Sequence, residues 1–148
     1  MLYEAAYWRP GRERPPLEEG LARPDLIGLL ADWGRPGDAG VVAESADSGP
    51  LGAAWYRFWS EDDHSYGYVS PRIPELGIAV RPEARGRGIG SRLLLALLAE
   101  GRRRGVAELS LSVERDNPAA RLYTRAGFRP IGAAGGAITM VAPTEDPV

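Results

Sequence analysis

The chain has 148 residues, 44% hydrophobic and 26% charged, with a net charge of −2. That length suits one domain over residues 1–148 with a substantial core, and the near-neutral balance supplies no field to hold nucleic acid or an anionic membrane. Cysteine is absent and His64 is the lone histidine, which excludes disulfides, a thiol nucleophile, and thiolate or multi-histidine metal centres. No stretch is long enough to span a bilayer and no signal-peptide layout opens the chain, so the expected location is cytoplasmic.

Met1 to Trp8 (MLYEAAYW) predicts a helix with Leu2, Ala5, Ala6 and Tyr7 on one face, though no cap residue precedes it. Arg9 to Gly20 is rich in Pro, Gly and charge, as a loop would be. Leu21 to Trp33 predicts a second helix, with Pro24 and Asp25 near its start and Gly34 beyond its end. Leu26, Ile27, Leu29, Leu30 and Trp33 are its expected buried residues. After a turn at Gly37–Gly40 comes a short strand, Val41 to Ala43. Asp47-Ser48-Gly49-Pro50 then reads as a hairpin turn. Leu51 to Trp59 is an aromatic-rich strand. Its alternation puts Trp55, Arg57 and Trp59 on one face and Tyr56 and Phe58 on the other. Glu61 to Tyr68 (EDDHSYGY) is an acidic, aromatic connection.

The most informative stretch is Pro74 to Ser91, PELGIAVRPEARGRGIGS. Leu76 to Val80 is apolar and bounded by prolines on both sides, as a short strand is. Gly86, Gly88 and Gly90 follow at every second position, and Leu93, Leu94, Leu95, Leu97 and Leu98 then fit a largely buried helix. A glycine turn between strand and helix bares backbone N–H groups and aims a helix N-terminus forward, which suits an anion. Arg81, Arg85, Arg87 and Arg92 add positive charge, so a phosphate-bearing ligand is expected. A P-loop needs a lysine, and all 18 basic residues here are arginine. The dinucleotide fingerprint needs glycine at 91 or 93, where Ser91 and Leu93 stand. An ordinary tight turn is the competing explanation.

The helix should end near Arg104, with Gly105 as its stop and Arg102 to Arg104 as a solvated basic end. Ala107 to Val113 predicts a strand with Leu109, Leu111 and Val113 on one face. Asp116-Asn117-Pro118 should turn into a helix carrying Leu122, Tyr123 and Ala126, stopped by Gly127. Phe128–Ile131 and Ala137–Val141 read as final strands joined by Gly132–Gly136. The tail from Pro143 is expected to fray.

Two motifs in this order, R-x-x-G-x-G at Arg85, Gly88 and Gly90 and then Asn117-Pro118 with Leu122-Tyr123-x-x-x-Gly127-Phe128, resemble the GCN5-related N-acetyltransferase (GNAT) family. The resemblance covers residues 75 to 141. It implies an α/β (α+β) fold with a mixed, mostly antiparallel twisted sheet of about six to seven strands and about four helices. Members open with a strand before their first helix, and this chain reads as beginning inside that helix.

The rest of what the resemblance implies concerns acetyl-CoA. The backbone of Ile78, Ala79 and Val80 would pair with its pantetheine arm. Arg85, Gly86, Arg87, Gly88, Ile89, Gly90 and Ser91 would hold its pyrophosphate. Tyr123 would lie beside the cofactor as general acid, against a packing tyrosine whose hydroxyl is merely satisfied. Asn117 matches a cofactor-proximal position, though a helix N-cap explains it equally. Glu75 is the first candidate for general base, against a plain strand-end charge. Some relatives carry a glutamate near position 112, where this chain has Ser112. His64 is a weaker base candidate, and Glu61, Asp62 and Asp63 are either amine attractors or a solvated loop. By their own pattern, Trp8, Trp33, Trp55, Tyr56 and Trp59 are mostly core or strand face, with one or two of them lining an acceptor pocket. The implied activity is N-acetylation of a small-molecule or peptide amine by direct transfer, with no metal, nucleic acid or membrane. A non-catalytic acyl-CoA sensor is the alternative. Dimers are common among members, and the sequence does not decide the oligomeric state.

Overall fold

Strands β1 (Ala39–Ser45) and β2 (Gly49–Arg57) form an antiparallel hairpin in the computed structural model, which describes residues 1–146. Gly49 turns the corner at φ +69°, a conformation glycine adopts without penalty. β2 pairs antiparallel with β3 (Glu75–Val80), and β3 lies parallel to β4 (Glu108–Glu114). β5 (Arg129–Ala134) and β6 (Ala137–Pro143) complete a six-stranded sheet in the order β1-β2-β3-β4-β6-β5. Five α-helices accompany it among the described residues: α1 (Leu2–Ala6), α2 (Leu17–Leu21), α3 (Pro24–Leu30), α4 (Ile89–Arg103) and α5 (Ala119–Arg125). The mixed sheet agrees with the expectation, and six strands lie within the expected number.

The core forms where α4 lies on the sheet. Leu93, Leu94, Leu97 and Leu98 recur at helical spacing and are buried, while Leu95, off that stripe, is exposed. They meet Tyr56, Leu76, Leu109, Leu111 and Met140, with Tyr123 and Phe128 in the same cluster. Each fully buried leucine stabilises the fold by roughly 1.5–3 kcal/mol. Gly105, at φ +75°, stops α4 as expected. Glu100 pairs with Arg103 and Arg104, so the basic run is a solvated, ion-paired helix end.

Two expectations need correction. The helix expected over residues 21–33 is two helices, and α2 reaches back into residues assigned to the loop. Pro24 explains the break: it forces Arg23 into an extended conformation (ψ 133°) and opens α3 itself. Of the residues expected to bury there, Leu26 does, but Ile27 and Trp33 are 54% and 46% exposed. The tail is also ordered further than expected. β6 runs to Pro143, and Thr144 is buried, its N–H bonded to the Ala107 carbonyl at 2.9 Å and its hydroxyl to that of Val106 at 2.5 Å. The last part of the expected frayed tail, residues 147–148, lies outside the described residues.

A buried ion pair fixes α3 to the sheet. Arg57 and Asp38 have side chains only 2% and 3% exposed and bond through two contacts, of 3.0 and 2.7 Å. The guanidinium also donates to the carbonyls of Gly28 and Ala31 at 3.1 and 2.7 Å. Burial alone would raise the Asp38 pKa, but the bonds from Arg57 and from the N–H groups of Gly34 and Arg35 hold it below its usual value. Removing one partner strands a buried charge. Asp38→Ala is therefore expected to destabilise the fold by about 3–5 kcal/mol, read from urea denaturation. A loss under about 1 kcal/mol would mean water reaches Arg57.

Candidate active site

The site begins with a defect in the sheet. β3 and β4 share a single register pair, Glu75 with Ser110, fixed by the Ser110 N–H on the Pro74 carbonyl at 3.0 Å. β4 is instead paired along its whole length with β6, so beyond Glu75 it parts from β3. Alternate residues of a strand turn their backbone groups to the same side. Pro74 faces β4, so Leu76, Ile78 and Val80 do too, while Ala79 turns toward β2 opposite Ala53. Arg85 Nε takes the Val80 carbonyl at 3.0 Å. The backbone of Ile78 thus faces the open gap.

The glycine turn lies at the far end of that gap. Gly86 and Gly88 both adopt φ +77°, and a Cβ at either would meet nothing within 4 Å. The turn is therefore set by backbone conformation in open space. Gly88 is the residue before α4, and the first intrahelical bond there is Arg92 N–H to the Gly88 carbonyl at 3.2 Å. No side chain caps the helix, so the N–H groups of Ile89, Gly90 and Ser91 have no helical partner. A phosphate would satisfy those donors, and the surroundings fit one. Arg87 is exposed beside them, whereas Arg85 is turned back onto β3.

On the other face of the sheet is a cavity of about 820 Å³, bordered by α1, α3, the ends of β2, β3 and β4, and the β5–β6 turn. Trp8, Trp55 and Trp59 line it, as do Arg57 and Ser112, while Tyr56 lies in the core. The face alternation expected for residues 55–59 is thus observed. Arg9 closes one side, bonded to Asp116 and Glu114 and stacked over Trp8 at 4.6 Å.

Glu75 forms part of the wall of this cavity, where β3 and β4 part. Its Oε1 accepts from the Gly67 N–H at 2.9 Å, while Oε2 is buried with no partner among the described residues. Burial pushes the carboxyl up to about 7, an effect reduced by the Gly67 N–H, the Ser65 hydroxyl, the His64 charge and Trp59. Between its ordinary value of 4.5 and about 7 the folded state holds a proton that the unfolded state has lost. Stability should therefore fall as pH rises through that window, by about 3 kcal/mol at most. Denaturation midpoints of Glu75→Gln should lack this slope. An equal slope in both proteins would place the titration elsewhere.

The remaining candidates are dispersed. Tyr123 is 7% exposed in the core, edge-on to Phe128 at 5.8 Å, and is absent from the cavity wall. Burial pushes its phenol well above the usual value. Asn117 borders the cavity, and its Oδ1 accepts the Ala119 N–H at 2.9 Å, the capping role that sequence allowed. His64 is exposed, stacked on Tyr68 at 4.2 Å. Glu61, Asp62 and Asp63 are exposed. Among the described residues no three His, Cys, Asp or Glu side chains converge as metal ligands would, and no helix is long and apolar enough to cross a membrane. Sequence inspection missed Arg9 and Gly67. Both act through partners distant in the chain, and no local pattern marks them.

The parallel pair β3–β4 thus splays beside a glycine turn, with a bare helix N-terminus at one end of the gap and a carboxyl at the other. The model of the acetyltransferase (GNAT) family matches residues 3–128, and the chain belongs to that family. It is 34% identical over 131 residues to a mycothiol acetyltransferase of Corynebacterium aurimucosum, covering 84% of this chain and 40% of that protein. The chain thus spans well under half the length of this relative. Among solved structures it is similar to a ribosomal-protein-alanine N-acetyltransferase from Brucella melitensis, with TM-score 0.60 and 29% identity, covering 74% and 70% of the two chains. A PaiA N-acetyltransferase from Thermoplasma acidophilum, solved in complex with coenzyme A, shares the fold at TM-score 0.58 and 23% identity over 72% and 60% of the chains.

Proposed function

We propose that the chain is an acetyltransferase domain that moves an acetyl group from acetyl-CoA to a primary amine held in the 820 Å³ cavity. The observation that carries it is Glu75: a buried carboxyl with one free oxygen, poised near 7, at the junction of the cavity and the strand gap. Acetyl-CoA would supply the activated acyl thioester. The N–H groups of Ile89, Gly90 and Ser91, with Arg87, would hold its pyrophosphate, and the Ile78 backbone would pair with the pantetheine arm.

Most amines are cationic at neutral pH and must lose a proton before attack. Glu75 takes that proton, and a base with a pKa near the working pH is the most effective. As the C–N bond forms and the C–S bond breaks, the nitrogen sheds its second proton and the departing thiolate gains one, so a donor near the thiolate and a path for the nitrogen's proton through solvent balance the step. The family resemblance, and not a place in the cavity wall, assigns Tyr123 the role of that donor, and its raised pKa keeps the phenol protonated. Tyr123→Phe is expected to lower turnover by roughly 10-fold or more with acetyl-CoA affinity nearly unchanged. Undiminished turnover would remove Tyr123 from the mechanism.

The acceptor is an amine-bearing small molecule or the amino terminus of a peptide. The mycothiol and ribosomal-protein-alanine relatives stand on opposite sides of that choice. The assigned location is cytoplasmic, with no nucleic acid or membrane partner. Release of CoA thiol, followed over time with and without a mixture of amines, tests the proposal. Thiol release that depends on the amine supports it. Acetyl-CoA binding without release would favour an acyl-CoA sensor.

A further inference from the structure

We propose that Gly67 is a positioning residue for Glu75: its N–H fixes one carboxyl oxygen, and its missing side chain lets the loop lie against β4 closely enough to do so. The proposal rests on Glu75 being the working carboxyl of the site, but its geometry stands independently. A Cβ at Gly67 would lie 2.7 Å from Glu75 Oε1, 2.7 Å from the Leu111 carbonyl carbon and 2.8 Å from the Ser112 nitrogen. The last two are backbone atoms of β4, which is locked to β6 through Leu111–Met140 and Ser112–Thr139, so they cannot yield. Gly67 is buried and is not among the positive-φ glycines, so space and not backbone conformation demands glycine here. It sits wedged between β4 and the carboxyl, and its 2.9 Å bond immobilises Oε1 while Oε2 stays unpartnered.

The neighbouring loop residues work in the same direction. Gly67 gives the carboxyl its one hydrogen bond among the described residues, and Ser65, His64 and Trp59 nearby also favour its charged form. Arg57, across the β2–β3 pair from Glu75, is turned away onto Asp38. The loop over residues 59–67 therefore supplies the one hydrogen bond and the polar surroundings of a carboxyl that the sheet would otherwise leave unsupported.

Gly67→Ala should force the loop peptide off β4 and break its bond to Glu75. The carboxylate then loses a donor, so the Glu75 pKa should rise by roughly one to two units. The readout is titration of the ¹³C-labelled Glu75 carboxyl by NMR in wild type and Gly67→Ala, which requires no acceptor and no turnover. A folded Gly67→Ala protein with an unmoved Glu75 midpoint would overturn the proposal. Where Gly67→Ala does not fold, the Gly67 amide of the wild type decides. Its ¹⁵N shift should follow pH with the Glu75 midpoint and become flat in Glu75→Gln, and a wild-type amide that ignores the Glu75 titration would equally overturn the proposal. Turnover of Glu75→Gln separately tests whether that carboxyl is the base, so the two ideas fail independently.

Discussion

Glu75→Gln is expected to lower kcat by about 10²–10⁴-fold while leaving acetyl-CoA affinity nearly unchanged. The amide keeps the shape of the side chain and an oxygen to accept the Gly67 N–H, so the wall of the cavity should survive. What disappears is the group that accepts a proton. In the wild type, activity should rise with pH through about 7 as the carboxyl ionises, because the base must be charged to act. The same titration that costs the fold stability as pH rises thus switches the site on. Steady-state thiol release measured from about pH 5.5 to 9, which brackets the titration, would check both consequences. A Glu75→Gln enzyme with undiminished kcat and an intact acidic limb would give the proton to water or to another side chain.

Gly88→Asp should reduce acetyl-CoA affinity by about 100-fold or more, as calorimetry would report. Two effects act together. At φ +77° a side chain strains the backbone, at roughly 1–2 kcal/mol. The larger effect is electrostatic, since a carboxylate would stand where the helix dipole and the free N–H groups invite a phosphate. No Cβ clash contributes, because nothing lies within 4 Å. Gly88→Asn, which shares the backbone strain of Asp and carries no charge, should lose much less. Equal losses in the two variants would make strain the cause, and normal affinity in both would place the pyrophosphate elsewhere.

One half of the site is legible in the sequence, and the other half is obscure for a physical reason. The proposed cofactor side is built from local elements: a proline-bounded strand, a glycine turn at Gly86–Gly90 and a leucine-striped helix. Each has its own signature, and all three lie where the pattern puts them. The turn at Gly105, the strand over 108–114 and the helix start after Asn117 follow from local chemistry in the same way. The proposed acceptor side depends on long-range contacts. Nothing near Arg9 announces its bonds to Glu114 and Asp116, and nothing near Gly67 announces β4. The place of Glu75 in the chain makes it a candidate base, but its displaced pKa requires the burial that folding creates. The errors have the same origin. Pro24 reads locally as the opener of one longer helix, yet it divides two. Thr144 reads as tail because its partners, Val106 and Ala107, lie 38 and 37 residues upstream.

The most direct test of acetyl transfer is mass spectrometry of a metabolite and peptide extract incubated with the protein and isotopically labelled acetyl-CoA. The expected result is a labelled N-acetyl product that disappears with Glu75→Gln and with Gly88→Asp. Absence of any labelled product, with labelled acetyl-CoA still bound by the protein, would contradict transfer as its function.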